Sequence, residues 1–418
     1  MQLLSSILFL SCLVNVILAA PVAEPPQKRQ PGSFKVKRVR NPHFEPNGPA
    51  ELKRAYGKYG FSRPTSFDRR LAPRNGTGKV ENAPVFKDKE FLSPVTIGGQ
   101  DFLLNFDTGS SDLWVFSTLM PSDQAVGHKL FDHTKSPTFQ PLKGQRFAIT
   151  YGDASFAQGV VGTDTVDIGG ATVQSQAVEL ATNVSDSFVV DTASQGLVGL
   201  AFSQLNKVRP SKQKTFFDNV LSTLNAPVLS ADLKHGTPGS YEFGNIDTSN
   251  FVGDLTFTDV DATTGFWTFN PSSFVIGGQS QGTTGTTAIV DTGTTLMLID
   301  PESVKAYYSG VKGAVNDTEN GFVFPCGQKL PDLGVEIEGK NFTIPGDLID
   351  FGQIGRGANS NICFGGIQEI PRPPMIFGDV FMKAVFVVFD AGTPPKLGFA
   401  EQDLSAQGAP GTASPIGG

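Results

Sequence analysis

The sequence has few of the residues that build metal centres or dense disulfide frameworks. Its 418 residues include three cysteines and four histidines, and neither an HExxH motif nor a paired CxxC motif occurs. We therefore expect no metal site and no cofactor. Charged residues make up only 17% of the chain and hydrophobic residues 39%. This composition excludes a disordered chain, and the length allows two packed domains.

Long hydrophobic runs are also scarce. Residues 1–20 carry no charge, contain a mostly apolar run from Ile7 to Leu18, and end in Ala19 and Ala20. This pattern is typical of a secretory signal peptide and is too short to cross a membrane; no other run approaches the roughly 18 apolar residues that a spanning helix needs. A buried N-terminal strand is the alternative. We expect a secreted, extracellular protein without a membrane anchor.

Removal of the signal peptide would take Cys12 with it and leave a single pair of cysteines. Cys326 and Cys363 are then expected to form a disulfide, because an exported chain folds in an oxidising compartment. Acceptor motifs for N-linked glycans begin at Asn75, Asn183, Asn316 and Asn341. The last three are candidate glycosylation sites in the body of the protein.

Charge divides the remaining chain into two unlike parts. Residues 21–74 hold 13 basic and 4 acidic side chains, whereas residues 75–418 hold 20 basic and 36 acidic ones. A basic segment that follows a signal peptide and precedes an acidic body is typical of a cleavable pro-segment, and the two parts should attract each other. An arm that binds nucleic acid or a membrane is the alternative. The acidic body argues against a nucleic-acid partner.

Glycine, proline and phenylalanine are abundant, with 47, 29 and 34 residues. Together with many valines and threonines at short spacings they favour strands and tight turns, so we predict an all-β fold. Stretches such as 95–97 and 385–389 are predicted strands. Two helices are also predicted, one near residues 215–224 and one that begins at Pro301 with Asp300 as its N-cap.

The clearest signal is an internal repeat. Residues 104–110 read LNFDTGS and residues 288–294 read AIVDTGT, so an apolar strand ends in Asp-Thr-Gly twice, 184 residues apart. Each copy is followed by an apolar pair and a glycine. Gly199 lies 92 residues after Asp107, and Gly378 lies 87 residues after Asp291. The near-equal spacing predicts two related lobes.

Two such turns, placed face to face, would bring two carboxylates into one cleft. Rigid backbone presents each aspartate, and the glycine allows the opposite chain to approach closely. Like charges at short range cannot both ionise readily, so the pair shares a proton at acidic pH. One carboxylate can then take a proton from water while the other supports the carbonyl under attack. The pattern predicts peptide-bond hydrolysis without metal or covalent intermediate.

These paired motifs resemble the pepsin family of aspartic proteases, and within it the secreted fungal branch of penicillopepsin and aspergillopepsin. The resemblance covers residues 75–402. Residues 403–418 are rich in Gly, Ala, Ser and Pro, which predicts a flexible tail. The resemblance implies a bilobal all-β fold with the active-site cleft between two lobes, at residues 75–254 and 255–402. It also implies a monomer that acts on protein and peptide substrates.

The resemblance assigns roles within the repeat. Asp107 and Asp291 would be the catalytic pair, and Thr108 and Thr292 would hydrogen-bond across the lobes. The remaining dyad-support residues are Gly109, Ser110, Gly293 and Thr294, of which Ser110 and Thr294 would bind the outer carboxylate oxygens. A two-carboxylate glycosidase is the enzymatic alternative, although it would not explain the repeat. The second alternative is a catalytically inactive pepsin-like binding or inhibitor protein.

A hairpin between the repeats resembles the flap that covers the family's cleft. Its arms, 146–151 and 156–160, flank a turn that contains Gly152, Asp153 and Ser155. Tyr151 would be the flap tyrosine and Trp114 its hydrogen-bond partner. By resemblance, Asp153 and Ser155 would allow Lys before the scissile bond in a site that otherwise prefers large apolar residues. The usual glycine after this aspartate is Ala154 here, which changes the turn.

Lys58 and Tyr59 resemble the Lys-Tyr pair with which the family's pro-segments block the active site. A Lys ammonium between the two aspartates would stabilise their ionised forms, and acid would weaken the contact. A basic stretch needed only for folding is the alternative. By similarity, maturation would occur near Arg74 and Asn75. We therefore predict a secreted aspartic endopeptidase that is made as a zymogen.

Overall fold

Strands dominate the structure, as the composition predicts. The computed structural model describes residues 32–40, 47–61, 91–151, 155–237, 239–283, 286–354 and 361–406. All of them lie within one compact unit, Pro31–Gly418. The predicted signal peptide, the maturation site near Arg74 and Asn75, the flap residues 152–154 and residues 407–418 of the tail fall outside the described residues.

The strands of the first half, in chain order, are β1 (Phe34–Lys37), β2 (Val39–Arg40), β3 (Phe91–Ile97), β4 (Gln100–Asp107), β5 (Leu113–Phe116), β6 (Gln140–Thr150), β7 (Phe156–Ile168), β8 (Ala171–Val184), β9 (Gly196–Gly199), β10 (Val228–Asp232), β11 (Ser240–Phe243) and β12 (Phe251–Asp259).

The strands of the second half are β13 (Thr268–Phe269), β14 (Ser273–Ile276), β15 (Gln279–Gly282), β16 (Ala288–Val290), β17 (Met297–Ile299), β18 (Val315–Asp317), β19 (Gly321–Pro325), β20 (Leu333–Ile337), β21 (Lys340–Ile344), β22 (Asp350–Gln353), β23 (Ile362–Gly365), β24 (Ile367–Glu369), β25 (Met375–Phe377), β26 (Val385–Asp390) and β27 (Lys396–Gln402). The α-helices are α1 (Gly48–Lys58), α2 (Asp186–Val189), α3 (Phe216–Val220), α4 (Pro301–Ser309), α5 (Gly346–Ile349) and α6 (Asp379–Met382).

The fold is bilobal, and the two lobes repeat one strand arrangement. In the first lobe β9 pairs with β4 in parallel and with β5 antiparallel, while β5 pairs with β8 in parallel. In the second lobe β25 has the same relation to β16 and β17, and β17 pairs with β24 in parallel. The sequence repeat is therefore a repeat of topology, and each Asp-Thr-Gly follows the equivalent strand.

The first lobe is an eight-stranded sheet in the order β2-β3-β4-β9-β5-β8-β7-β6, with an additional pairing of β3 with β7. Side chains of β4 alternate between core and surface, so Phe102, Leu104 and Phe106 are buried. This alternation fixes the register of the strand that ends at Asp107. The long hairpin β6–β7, whose arms flank the residues expected to form the flap turn, lies at one edge of the sheet.

The second lobe contains a five-stranded sheet, β13-β16-β25-β17-β24, and two four-stranded sheets, β15-β14-β20-β21 and β18-β19-β23-β22. The predicted disulfide is present and joins Cys326, just after β19, to Cys363 in β23. It connects a neighbouring pair of strands in this lobe. The predicted helix at Pro301 is α4, and the Asp300 carboxylate accepts the Ser303 amide at 2.9 Å.

A six-stranded sheet, β1-β11-β10-β26-β27-β12, draws strands from both halves of the chain. Its strand β26 is buried along nearly its whole length, because its run of valine and phenylalanine is covered on both faces. The lobe boundary expected at residues 254 and 255 falls inside β12 of this sheet and stays a prediction. No helix of the described residues is long and apolar enough to cross a membrane.

The described part of residues 21–74 packs directly on this body. β1 pairs with β11 at the edge of the six-stranded sheet, and β2 pairs with β3. Helix α1 begins after Asn47, whose side chain accepts the Ala50 amide at 3.2 Å, and has Pro49 in its first turn. Its apolar face, including Leu52, Ala55 and Tyr56, is buried. The helix ends at Lys58, next to the two aspartates.

Candidate active site

Asp107 and Asp291 end equivalent strands in the two lobes. Asp107 is the last residue of β4, and Asp291 directly follows β16. Each strand fixes the backbone up to its carboxylate, and the Thr-Gly that follows turns the chain away. Both residues are buried, with exposed fractions of 1% and 0%. The fold thus brings together the two aspartates that the repeat singles out.

Thr108 and Thr292 connect the two turns by a reciprocal set of hydrogen bonds. The Thr108 amide donates to Oγ1 of Thr292 at 3.1 Å, and the Thr292 amide donates to Oγ1 of Thr108 at 3.0 Å. Each hydroxyl donates to a carbonyl in the opposite lobe, at Val290 (3.0 Å) and Phe106 (2.8 Å). Four hydrogen bonds therefore hold the turns in register without using either carboxylate.

Each carboxylate also accepts one amide and one hydroxyl from its own turn. The donors to Asp107 are the Gly109 amide at 2.8 Å and the Ser110 hydroxyl at 2.6 Å. The donors to Asp291 are the Gly293 amide at 2.9 Å and the Thr294 hydroxyl. Such hydrogen bonds stabilise the ionised form and fix the orientation of each carboxylate.

The glycines of the two turns face the opposite carboxylates. A Cβ at Gly109 would lie 2.5 Å from Oδ1 of Asp291, and a Cβ at Gly293 would lie 2.5 Å from Cγ of Asp107. Neither position has room for a side chain. Glycine is therefore required by the close approach of the lobes.

The glycine that follows each apolar pair serves a related purpose. A Cβ at Gly199 would lie 2.6 Å from the backbone nitrogen of Ser111, and one at Gly378 would meet the carbonyl oxygens of Thr294 and Leu296. Both glycines let β9 and β25 cross closely behind the turns. The repeat thus combines a presenting strand, a turn and a supporting strand.

Comparison with known proteins agrees with this geometry. The family model described as eukaryotic aspartyl protease matches residues 90–402. The chain belongs to that family. It is 45% identical to the aspartic protease PEP3 of Coccidioides posadasii, over 94% of this chain and 96% of the relative. It is 42% identical to endothiapepsin of Cryphonectria parasitica, over 94% of this chain and 99% of the relative. It is 48% identical to penicillopepsin-1 of Penicillium janthinellum, over 78% of this chain and 99% of the relative. The protein is an aspartic-type endopeptidase of the fungal pepsin group.

In this protease, Lys58 lies between the two aspartates. Its Nζ is 2.6 Å from Oδ1 of Asp107, and 3.0 and 2.9 Å from the two carboxylate oxygens of Asp291. Tyr59 donates its hydroxyl to Oδ2 of Asp291 at 2.5 Å. The Lys58 side chain is only 9% exposed. One cation from α1 thus contacts both carboxylates of the paired turns.

The two carboxyls titrate differently beside this cation. For Asp107, burial and the nearby Asp291 charge outweigh the attraction of Lys58 and raise the pKa. Burial also raises the pKa of Asp291, but the Lys58 charge and the hydrogen bonds from Thr294 and Tyr59 outweigh burial and lower this pKa to about 2. The pKa of Lys58 is raised because the two aspartates outweigh the effect of burial.

Tyr151 and Trp114, the residues expected to form the flap pair, are joined by a hydrogen bond. Nε1 of Trp114 donates to the Tyr151 hydroxyl at 3.1 Å, and the Tyr151 amide donates to the carbonyl of Ser155 at 2.7 Å across the base of the hairpin. Ser155 is buried. A pocket beside the dyad is lined by these residues together with Asp107, Phe188, Asp191, Leu197 and, from α1, Arg54 and Lys58.

A buried acidic pair behind Trp114 was not predicted. The Asn206 side-chain amide donates to Asp112 at 2.8 Å and to Glu179 at 3.1 Å, and the Lys207 amide donates to Asp112 at 2.7 Å. Burial raises the pKa of Asp112 to about 6 and that of Glu179 well above its usual range. Asp112, Glu179 and Asn206 lie far apart in the chain, so no local sequence pattern identifies this network.

Further contacts of α1 were also missed. The Tyr56 hydroxyl donates to the Glu369 carbonyl at 2.6 Å, and Glu51 accepts the Thr295 hydroxyl at 3.3 Å. The Asn47 cap and Pro49 are helix-start signals that mark this helix in the sequence. Among the candidate glycosylation sites, Asn341 is exposed, Asn183 is partly exposed and Asn316 is buried at 8% exposure.

Proposed function

We propose that this protease hydrolyses peptide bonds at acidic pH with Asp107 and Asp291 as its catalytic pair. The observation that carries the proposal is the near-symmetry of the site, in which two buried carboxylates with matching hydrogen bonds face one another and bind a single cation. Once that cation leaves, two carboxyls at such close range share one proton over an acidic range.

The reaction follows from one ionised and one protonated carboxyl. The ionised carboxylate takes a proton from a water molecule as the water oxygen attacks the peptide carbonyl carbon. The protonated carboxyl donates its proton to the carbonyl oxygen, which gives a neutral tetrahedral diol. The carboxyl that took the proton from water then donates it to the nitrogen as the C–N bond breaks, while the other carboxylate takes back a proton from one diol hydroxyl, which leaves a carboxylic acid and an amine. The hydrogen bonds from Ser110 and Thr294 keep the outer oxygens in place during these steps.

The same proposal makes residues 21–74 an inhibitory pro-segment, after a signal peptide at residues 1–20. The positions of Lys58 and Tyr59 support it, because these side chains contact the carboxylate oxygens that the proposed reaction would need. The basic charge of the segment against an acidic body also supports it. Maturation near Arg74 and Asn75 would then release a protease with lobes at 75–254 and 255–402.

Export from the cell is part of the proposal. The charge-free apolar stretch at residues 1–20 and the disulfide between Cys326 and Cys363 support it, because disulfides persist in oxidising compartments. Asn341, exposed on β21, is the favoured glycan acceptor, while the burial of Asn316 disfavours it. The mature protease would act as a monomer on protein and peptide substrates.

Substrate preference follows from the pocket beside the dyad. Its apolar lining, with Phe188 and Leu197, suits a large apolar side chain next to the scissile bond. Asp153 and Ser155 would add acceptance of Lys before the cut through a charge-assisted hydrogen bond. Asp153→Asn is expected to reduce cleavage after Lys selectively. Equal loss on substrates with Phe at that position would contradict the assignment.

Acidification of the purified precursor tests the function as a whole. The precursor is brought to roughly pH 3–4 and incubated with denatured globin, with and without pepstatin. Pepstatin-sensitive digestion that follows loss of the pro-segment is the expected result. A folded and processed protein without proteolysis would contradict it and would favour the alternative of an inactive pepsin-like binding protein.

A further inference from the structure

Two stretches of the acidic body combine several basic residues with an absence of carboxylates. Residues 133–152 and 192–217 contain no Asp or Glu, yet they hold seven of the 20 basic side chains of residues 75–418. The two stretches are far apart in sequence.

The fold joins these two stretches. Arg146 and Arg209 exchange two backbone hydrogen bonds, at 2.9 and 2.8 Å, and the Ser211 amide donates to the side chain of Gln145 at 3.0 Å. Five exposed cations are thereby collected on one side of the first lobe. We call them the basic face: Lys143, Arg146, Lys207, Arg209 and Lys212.

A pocket in this face is lined by three of the five cations, Arg146, Lys207 and Arg209. Among the residues that the structure describes, no carboxylate forms an ion pair with a member of the basic face. Elsewhere, exposed or half-buried lysines do find carboxylates, as Lys135, Lys234 and Lys396 do at 3.1, 3.2 and 3.3 Å. The buried Asp112 accepts the Lys207 amide and interacts electrostatically with Lys207 and Arg209. The positive charge of the face is therefore directed outward.

We propose that the basic face binds a polysaccharide that carries phosphate or sulfate ester groups. This binding site is separate from the cleft, and the choice of ester groups rests on the proposed acidic working pH. Carboxylates, including those of polyuronates, lose charge near their pKa of about 4, whereas phosphate monoesters keep at least one negative charge and the five cations stay charged. Phosphate and sulfate esters are therefore the anionic groups that the five cations still attract at acidic pH.

The lining of the pocket argues against a single-stranded nucleic acid as the partner. Single-stranded nucleic acids bind through exposed aromatic side chains on which bases stack. The aromatic residue in this pocket, Phe147, is buried at 2% exposure. Exposed cations without a stacking surface fit a polymer that is bound through its charges alone.

The test compares polymers that share one backbone. Neutral dextran, carboxymethyl dextran, dextran phosphate and dextran sulfate are immobilised, and binding is measured at pH 6 with the full chain and at pH 4 with the acid-activated protease held by pepstatin. Binding to the phosphate and sulfate polymers that weakens with added salt is expected at both pH values. Their relative strength distinguishes the two esters. Equal binding to carboxymethyl dextran at pH 4 would overturn the choice of esters.

Matched variants separate the face from net charge. The triple variant Lys143→Gln, Arg146→Gln, Lys207→Gln removes three charges from the face, and Lys305→Gln, Lys312→Gln, Lys329→Gln removes three exposed charges from the second lobe. The first is expected to weaken binding at least about tenfold, and the second by less than about threefold. Equal effects would overturn the proposal, as would tighter binding of single-stranded DNA than of dextran sulfate. The pH 6 comparison uses the precursor, so it stands even where acid activation fails.

Discussion

Thr108 and Thr292 each donate an amide to the other's hydroxyl, and the four hydrogen bonds of this pair include none from the carboxylates. The two lobes are thus connected at the two Asp-Thr-Gly turns by groups that do not titrate. The register of Asp107 and Asp291 is therefore independent of their protonation, which a proton-sharing pair requires.

Removal of either hydroxyl is expected to destabilise the fold. Thr108→Val or Thr292→Val leaves a buried amide and a buried carbonyl without partners, which costs about 1–3 kcal/mol in the free energy of unfolding. Urea unfolding of the precursor measures this loss in the free energy of unfolding. Thr256→Val, on a half-exposed position of β12, is the control and should change stability by less than about 0.5 kcal/mol. Similar values for all three variants would contradict the role of this pair.

A methyl group at Gly109 is expected to separate the two carboxylates. Its Cβ would lie 2.5 Å from Asp291 and 2.8 Å from Nζ of Lys58, so the turns must move apart. A displacement near 1 Å at a catalytic group lowers kcat/KM by roughly two orders of magnitude. Gly310→Ala, where the nearest atom is 3.5 Å away, should leave kcat/KM unchanged. Full activity of Gly109→Ala would show that the close approach is unnecessary.

The pH dependence of latency follows from the Lys58 contact. Because the pKa of Asp291 is lowered to about 2 from an ordinary value of 3.8, its ionised form stabilises the blocked state above pH 3.8, and this contribution is lost as the pH falls toward 2. Asp107 acts in the opposite sense relative to its ordinary value, because its pKa is raised, so the expectation rests on Asp291. The precursor is therefore expected to open on acidification and to stay blocked at neutral pH.

Lys58→Ala is expected to remove this block. We expect the unprocessed variant to bind pepstatin more tightly than the wild-type precursor does at pH 6, as measured by calorimetry. Lys53→Ala, on an exposed position of the same helix, is the control and should bind as the wild type does. A Lys58→Ala precursor as closed as the wild type would assign the inhibition to other contacts of α1.

The hydrogen bond from Trp114 to Tyr151 is expected to position the flap. Trp114→Phe and Tyr151→Phe each remove the bond, and each should lower kcat/KM about tenfold, as the loss of about 1.4 kcal/mol of transition-state stabilisation requires. The double variant should fall little further, because both changes remove one interaction. Tyr307→Phe loses a comparable bond, to Pro331, and is expected to leave kcat/KM unchanged. Additive losses in the double variant would contradict the assignment.

The sequence identified the parts of the site that lie in continuous motifs. Two apolar strands that end in Asp-Thr-Gly predicted the aspartates, the turns and the lobes, because strand and turn are local structures. It did not reveal that the threonine hydroxyls donate to the carbonyls of Phe106 and Val290. Those contacts join residues more than 180 positions apart. Their geometry depends on how the lobes pack.

Contacts outside the motifs were harder to predict for the same reason. Asn206 joins Asp112 and Glu179 across 94 and 27 positions, and nothing near any of them marks the network. Helix α1 carried local signals in Asn47 and Pro49, yet its place in the cleft depends on Lys58 meeting two distant carboxylates. Long-range packing determines such contacts, and local patterns in a single sequence do not predict that packing.

The catalytic pair itself is tested most directly by Asp107→Asn and Asp291→Asn. Each variant keeps the size of the side chain but replaces one carboxylate oxygen with an NH2 group, so the side chain can neither ionise nor share a proton. The mature forms are compared with the wild type for kcat/KM on a peptide with Phe before the cut, across roughly pH 2–7. The wild type should give a bell-shaped profile with two carboxyl pKa values, and each variant should lose at least about three orders of magnitude. A folded variant of either kind that retains the wild-type profile would contradict the account.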